Sequence, residues 1–199
     1  MPMTNRQSEL LAGIIARYRV LTIPSLKLML ENTTVREISK DDFVIREQKL
    51  NACEYFLLEG ILQTTITNDE GEDITTGFYT NGMVLTPHFA RTIKGKSIYN
   101  LQALTPVVLA EMPVTVLDSL RYSFGDIKEF GLKVVEQELL KSIHHDIGFR
   151  AMSAKQRLLA FRQNYPALEN LIPHTLIASY LGVTPVSFSR LRNELARKE

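Results

Sequence analysis

The stretch LIASYLGVTPVSFSRLRNEL, from Leu176 to Leu195, constrains this chain more than any other. It reads as two short apolar-periodic segments hinged at Gly182. A helix-turn-helix needs a small residue where its second helix crosses the first, and Ala178 stands there. In the turn it needs a residue that tolerates positive φ, which glycine does freely, and Gly182 supplies it. Ile177, Leu181 and Val183, with Phe188 and Leu191 beyond the turn, are the apolar residues expected to weld the two helices. Thr184 can cap the second helix with its hydroxyl. Pro185 takes the first helical position, where its missing N–H costs nothing.

The outward face of that second helix is then Val186, Ser189, Arg190 and Asn193, flanked by Ser187 and Arg192. Arginine can donate bidentately to guanine O6 and N7, while hydroxyls and N–H groups at a helix start suit phosphate. Arg190 is therefore expected to make the main base contact, with Val186 and Ser189 as lesser ones. Thr184, Ser187 and Arg192 are expected on phosphates, with Pro185 setting the start of the helix between them. A plain helical hairpin with a solvated face is the competing reading; it gives no reason for the register Ala178, Gly182, Phe188, Leu191.

Upstream the apolar period changes. Leu10, Leu11, Ile14, Ile15, Tyr18 and Leu21 recur at helical steps, and Thr22-Ile23-Pro24 breaks them. From about Val35 to Leu117 the period drops toward two, with β-branched and aromatic runs such as YFLLEGILQTTIT, and turn residues such as Asn68-Asp69-Glu70-Gly71 and Lys94-Gly95-Lys96 between them. Closely spaced short strands without intervening helices predict a sandwich or jelly-roll barrel. From Val116 to Phe149 the period is helical again. A helix over about residues 125–148 would be close to 40 Å long at 1.5 Å per residue. Such a helix either covers the barrel or packs against its own copy. Three shorter helices follow: Ser153–Phe161, His174–Leu181 and Pro185–Arg197. The fold class is α+β: an N-terminal jelly-roll-like β-roll with flanking helices and a long dimerisation helix over 1–148, then a helical helix-turn-helix domain over 149–199.

Bulk charge is uninformative, with 23 basic and 22 acidic residues among 199. Its distribution is not. From Arg150 onward the basic residues are Arg150, Lys155, Arg157, Arg162, Arg190, Arg192, Arg197 and Lys198, against Glu169, Glu194 and Glu199. A basic tail favours an anionic partner. One cysteine, Cys53, excludes an internal disulfide and a cysteine-held cluster. The first 20 residues lack the pattern of a secretion signal, and no apolar run reaches the roughly 20 residues that span a bilayer. A cytoplasmic protein with no membrane partner is expected. No glycine-rich phosphate loop, nucleophile elbow or metal-spaced His pair is present, so no enzyme is expected.

The segments RLLAF…YP…IPHTLIASYLGVTPVSFSRLRNEL and VREISKDDFVIREQKLNACEYFLLEGILQTTITNDEGEDITTGFY resemble, over nearly the whole chain, the Crp/Fnr transcription regulators, most of all the compact variety common in Bacteroidetes-like bacteria. The resemblance implies a cyclic-nucleotide-binding-type β-roll, a homodimer, double-stranded DNA as partner and RNA polymerase as a further one. The β-hairpin wing usual after the recognition helix is not expected, since the chain stops at Glu199. In the family's phosphate cassette a Gly-Glu pair opens a short helix and an Arg-Ser or Arg-Thr pair follows. Here Gly82 is followed by Met83, and the basic-hydroxyl pair is Lys96-Ser97 or Arg91-Thr92. Lysine is a weaker substitute for a bidentate arginine. Gly82, Met83, Arg91, Lys96 and Ser97 are thus the candidate ligand residues. No cofactor and no cyclic AMP control are expected, and an unidentified effector, or a pocket filled by Met83, Leu85 and Phe89, remains open. His88 stands alone. His144 and His145 project about 100° apart on one helix and suit no shared metal. The competing function is a ligand-sensing β-roll whose C-terminal hairpin mediates protein–protein contact.

Overall fold

Thr4 and Gln7 form a capping box that starts α1 (Asn5–Ala16), and Thr22 with a proline in the first turn starts α2 (Ile23–Glu31). Strands follow: β1 (Thr34–Ile38), β2 (Phe43–Ile45), β3 (Cys53–Glu59), β4 (Leu62–Thr67) and β5 (Asp73–Tyr79). A single turn, α3 (His88–Arg91), precedes β6 (Thr92–Ile93), β7 (Lys96–Ser97), β8 (Asn100–Ala103) and β9 (Val107–Pro113). The rest is helical: α4 (Val114–Ser123), α5 (Gly125–Ala151), α6 (Ala154–Asn164), a 3₁₀ turn Leu168–Asn170, α7 (His174–Tyr180) and α8 (Pro185–Ala196). This computed structural model describes residues 3–197, so Lys198 and Glu199 of the basic tail lie outside the described residues.

The strands form an antiparallel roll of two sheets, in the orders β1-β9-β3 and β2-β8-β4-β5, with β6-β7 as a separate hairpin. The apolar run Tyr55-Phe56-Leu57-Leu58 is buried on both faces because β3 lies between two cores. Phe56 and Leu58 face a cluster with Leu11, Ile15, Met29, Ile127, Phe130 and Val134 of α1, α2 and α5. Tyr55 and Leu57 face the interior of the roll with Val44, Leu62, Leu85, Leu101 and Leu109. β9 divides the same way, Ala110 and Met112 outward to the helices and Val107 and Leu109 inward. Alternation at period two makes one strand serve both cores, at about 1.5–3 kcal/mol for each large apolar side chain removed from water.

The chain separates into two compact units. One runs through Thr64 and resumes over Phe78–Leu139; the other takes Thr65–Gly77 and the chain from Leu140 onward. The helical pattern read across Val116–Phe149 is two helices, because Phe124 is extended (φ −126°, ψ 114°) between α4 and α5. The break is set from a distance. The Asp126 carboxylate accepts hydrogen bonds from the Thr22 N–H (2.9 Å) and the Ser25 hydroxyl (2.8 Å) at the start of α2, which ties the start of α5 to it. Desolvation opposes the Asp126 charge, yet the hydrogen bonds from Thr22, Ser25 and the Ile127 N–H together outweigh it and hold the carboxyl below its ordinary range. α5 then runs 27 residues, about 40 Å, three residues past the predicted end.

Candidate nucleic-acid interface

α7 ends in a Schellman turn. The Val183 N–H donates to Ala178 O and the Gly182 N–H to Ser179 O, both at 3.0 Å, which puts Gly182 at the left-handed position with φ +64°. A side chain there is excluded twice over. Its backbone is in the region that L-residues avoid, and a Cβ would lie 2.9 Å from the Phe149 ring. Arg157 completes the turn by donating from Nε to Leu181 O at 3.0 Å, one of the carbonyls that a helix end leaves unpaired. α8 starts three residues after the glycine. The Thr184 hydroxyl accepts from the Ser187 N–H (3.1 Å) and Pro185 stands in the first turn. Thr184 also donates to the Ser187 hydroxyl at 2.9 Å.

The weld between the two helices is Ile177, Ala178, Leu181 and Phe188, all at most 2% exposed. Leu191 is only half-buried; Leu195, one turn further on, is the buried leucine of α8. The His174 ring packs on Phe188 at 5.5 Å between centroids. The opposite face of α8 is open. Val186, Ser189, Arg190 and Asn193 are exposed, at the three- and four-residue steps that place side chains on one face.

The basic residues of this unit divide sharply. Lys155 pairs with Glu194 (2.6 Å) and Arg150 with Asp146 (2.8 Å). Arg162 meets Glu169 at 2.7 Å, and Arg192 meets the other oxygen of the same carboxylate. Arg157 is spent on the carbonyls of Leu181 and Met152. Among the described residues, the side chains of Arg190 and Arg197 alone in this set have no hydrogen-bond or ion-pair partner. Glu169, which the sequence reading passed over, is the organising residue. Burial opposes its charge, yet hydrogen bonds from Arg162 and Arg192 outweigh burial and hold its carboxyl below the usual range. It was visible as the sole acid between Arg150 and Arg190 in an otherwise basic tail. Arg192 is therefore turned toward the body of the domain, with its Nη1 3.3 Å from His174 Nδ1. The segment between α6 and α7 holds a 3₁₀ turn with Ala167 at φ +66°, not a β-hairpin.

The five candidate ligand residues of the β-roll do not converge. Arg91 is fully buried: Nε donates to Thr86 O at 2.9 Å, Nη1 to Asn51 Oδ1 and Nη2 to Cys53 O, and the guanidinium lies over the Tyr55 ring. Glu54 is 3.8 Å from it, in the same buried pocket. Burial pushes the Glu54 carboxyl up, against the His88 N–H and Arg91, which lower it. Ser97 is buried and donates to Tyr99 O, whereas its neighbour Lys96 points to solvent. Gly82 closes a turn with its N–H on Leu57 O and its carbonyl on Arg17, and Met83 packs against the inner core. Phe89, read as a filler of the pocket, is exposed, while Leu85 is buried. Burial also raises the Cys53 thiol. His88 Nε2 lies 2.8 Å from Asn51 O. His145 packs on Phe149 and Tyr180, and burial lowers its pKa. Among the described residues no three His, Cys, Asp or Glu side chains cluster as metal ligands, and no helix is long and apolar enough to cross a membrane.

No family model matches the chain. The chain is 25% identical over 148 residues to the regulatory protein HlyX of Actinobacillus pleuropneumoniae, covering 69% of this chain and 61% of that protein. Its fold is similar to that of FixK2 from Bradyrhizobium japonicum (TM-score 0.71, 17% identity, 83% of this chain and 85% of that one). It is also similar to a transcriptional regulator of the Crp/Fnr family from Eubacterium rectale (TM-score 0.67, 17% identity, 89% and 85%). The α+β fold, a β-roll with flanking helices, is thus shared with FixK2 and with the Crp/Fnr-family protein of Eubacterium rectale, and the relative HlyX is a regulatory protein.

Proposed function

We propose that this chain is a Crp/Fnr-type transcription regulator: a cytoplasmic homodimer that binds double-stranded DNA sequence-specifically through α8 and acts with RNA polymerase. One observation carries this reading. In a unit rich in basic side chains, Arg150, Lys155, Arg157, Arg162 and Arg192 are committed to carboxylates or carbonyls, and of the two left free among the described residues, Arg190 and Arg197, it is Arg190 that stands on the open face of a helix held by a Schellman turn and a threonine cap. Arg190 reads a guanine edge, with Val186 and Ser189 beside it. Thr184, Ser187 and the start of α8 set by Pro185 hold phosphate, and Arg192 approaches the backbone only as far as Glu169 allows.

Dimerisation is supported by α5. Leu132, Leu139, Leu140, Ile143 and Ile147 form a stripe along the helix, each between 45% and 60% exposed. Apolar steps of seven and four residues are those of a helix that pairs with a copy. A two-fold axis there would set two α8 helices about 34 Å apart on a pseudo-palindromic site. For the β-roll we propose control other than by cyclic AMP, because Arg91 is already bound by protein atoms and Lys96 faces away. The deciding experiment is binding to random duplex DNA across a salt series. Binding that weakens steeply with salt supports the proposal. Absence of binding at low salt would instead favour a ligand-sensing β-roll whose C-terminal hairpin contacts protein.

A further inference from the structure

One face of the β-roll carries a row of side chains with nothing packed on it. β6 and β7 are joined by Lys94-Gly95, both at positive φ (52° and 76°), the conformation that a tight type I′ hairpin turn requires. Residues 48–51 run beside β7 and pair with it through one antiparallel bridge. Gln48 N–H donates to Ser97 O (2.9 Å), Ser97 N–H to Lys49 O (3.0 Å) and Asn51 N–H to Gly95 O (2.9 Å). The register sets Leu50 opposite Lys96, and Lys96 opposite Ile93. Cross-strand partners share a face, so Leu50, Lys96 and Ile93 stand in one row, with Ile98 two residues past Lys96 on the same side. The reverse face is the anchored one, where Ser97 and Arg91 are 0% exposed. On the outer face Leu50 is 78% exposed and Ile93 67%.

Large apolar side chains held open side by side are costly to leave in water, and grouped exposure of this kind marks contact surfaces. Lys96 within the row and Lys94 in the turn are exposed, and neither has a carboxylate partner among the described residues. The complement is a surface that offers apolar side chains to Leu50 and Ile93 and a carboxylate to Lys96 between them. A nucleic-acid backbone would match the lysine but offers no apolar partner to the leucine and isoleucine on either side of it. We infer that this face docks an acidic segment of another protein, anchored by two or three apolar side chains. The proposal does not depend on the reading of α8.

The test uses the intact protein and a fluorescein-labelled amphipathic peptide with leucines at i, i+3, i+4 and i+7 and aspartates elsewhere. The control has lysine for each aspartate. The acidic peptide is expected to bind, to weaken as salt rises, and to lose at least tenfold in affinity with L50S/I93S and with K96E, while both variants keep wild-type binding to random duplex DNA. The basic peptide is expected not to bind. Failure of the acidic peptide to bind, equal binding of the two peptides, or binding unchanged in the variants would overturn the proposal. So would loss of the dimer in L50S/I93S by sedimentation velocity, which would assign the face to a second copy of this chain. Wild-type co-sedimentation with anionic vesicles that L50S/I93S abolishes would assign it to a lipid surface, and would overturn the proposal as well.

Discussion

The carboxylate of Glu169 grips Arg162 of α6 and Arg192 of α8 at once, one oxygen to each Nε. This single residue fixes where α8 lies against its own unit, and it takes Arg192 out of the pool of side chains that can swing freely to DNA. Glu169→Gln is expected to cost roughly 1–3 kcal/mol, as for a charged hydrogen-bonded group that loses its charge. The pH dependence has a definite sign. The folded pKa of Glu169 lies below the ordinary value, so its contribution is present above about pH 4.3 and is lost as pH falls through the lower folded pKa. Urea midpoints of wild type and variant measured from pH 7 to pH 3 should converge at the acid end. A constant gap would show that the ion pairs do not contribute.

Arg190→Ala should weaken operator binding by roughly 1–3 kcal/mol and relax the preference at one base position. Sequence selection on randomised duplexes, followed by fluorescence anisotropy, checks both. An unchanged preference would remove Arg190 from base reading.

Gly182→Ala places a Cβ at φ +64° and 2.9 Å from the Phe149 ring. The left-handed conformation alone costs roughly 1–2 kcal/mol. Thermal unfolding followed by circular dichroism should show a clear fall in Tm, together with loss of DNA binding at temperatures where the variant unfolds.

Ile143→Glu and Leu139→Glu each put a charge on the exposed stripe of α5. If the stripe pairs with its copy, either variant should shift sedimentation velocity from dimer toward monomer. The full pseudo-palindrome should then be bound no better than a half-site.

Arg91→Met leaves Glu54 buried without its guanidinium. Removing one partner of a buried pair costs roughly 3–5 kcal/mol, and the denaturant midpoint should fall accordingly. Wild-type protein should show no rise in Tm with millimolar cyclic AMP, whereas a ligand at a hundred times its Kd would add about 2.7 kcal/mol.

Local chemistry was legible before any coordinates. The Ala178, Gly182 and Phe188 register gave the turn, because a left-handed residue, a close helix crossing and an aromatic weld each demand a narrow class of side chain. Thr184-Pro185 marked the start of α8, and the drop to period two marked the strands. The break at Phe124 was not legible, since the helical period continues on both sides of it and the groups that hold Asp126 come from α2. That Leu195 rather than Leu191 is the buried leucine of α8 was not legible either, and neither was the tie from Arg192 of α8 to Glu169, which lies outside the motif.

Arg91 makes the division clearest. The sequence alone determined an arginine beside a hydroxyl residue, the right types for an anion clamp, and it determined the two-helix motif, whose turn and caps rest on near neighbours along the chain. Only the tertiary structure decided that Arg91 spends its donors on Thr86, Asn51 and Cys53, that Lys96 faces outward, and that Arg190 stays free while Arg162 and Arg192 share one carboxylate. The physical reason is the same in each case. A cation's role is set by the acceptors nearest its tip, and Asn51 and Cys53 for Arg91, like Glu169 for Arg192, come from segments distant in sequence, brought there by packing that no local pattern encodes.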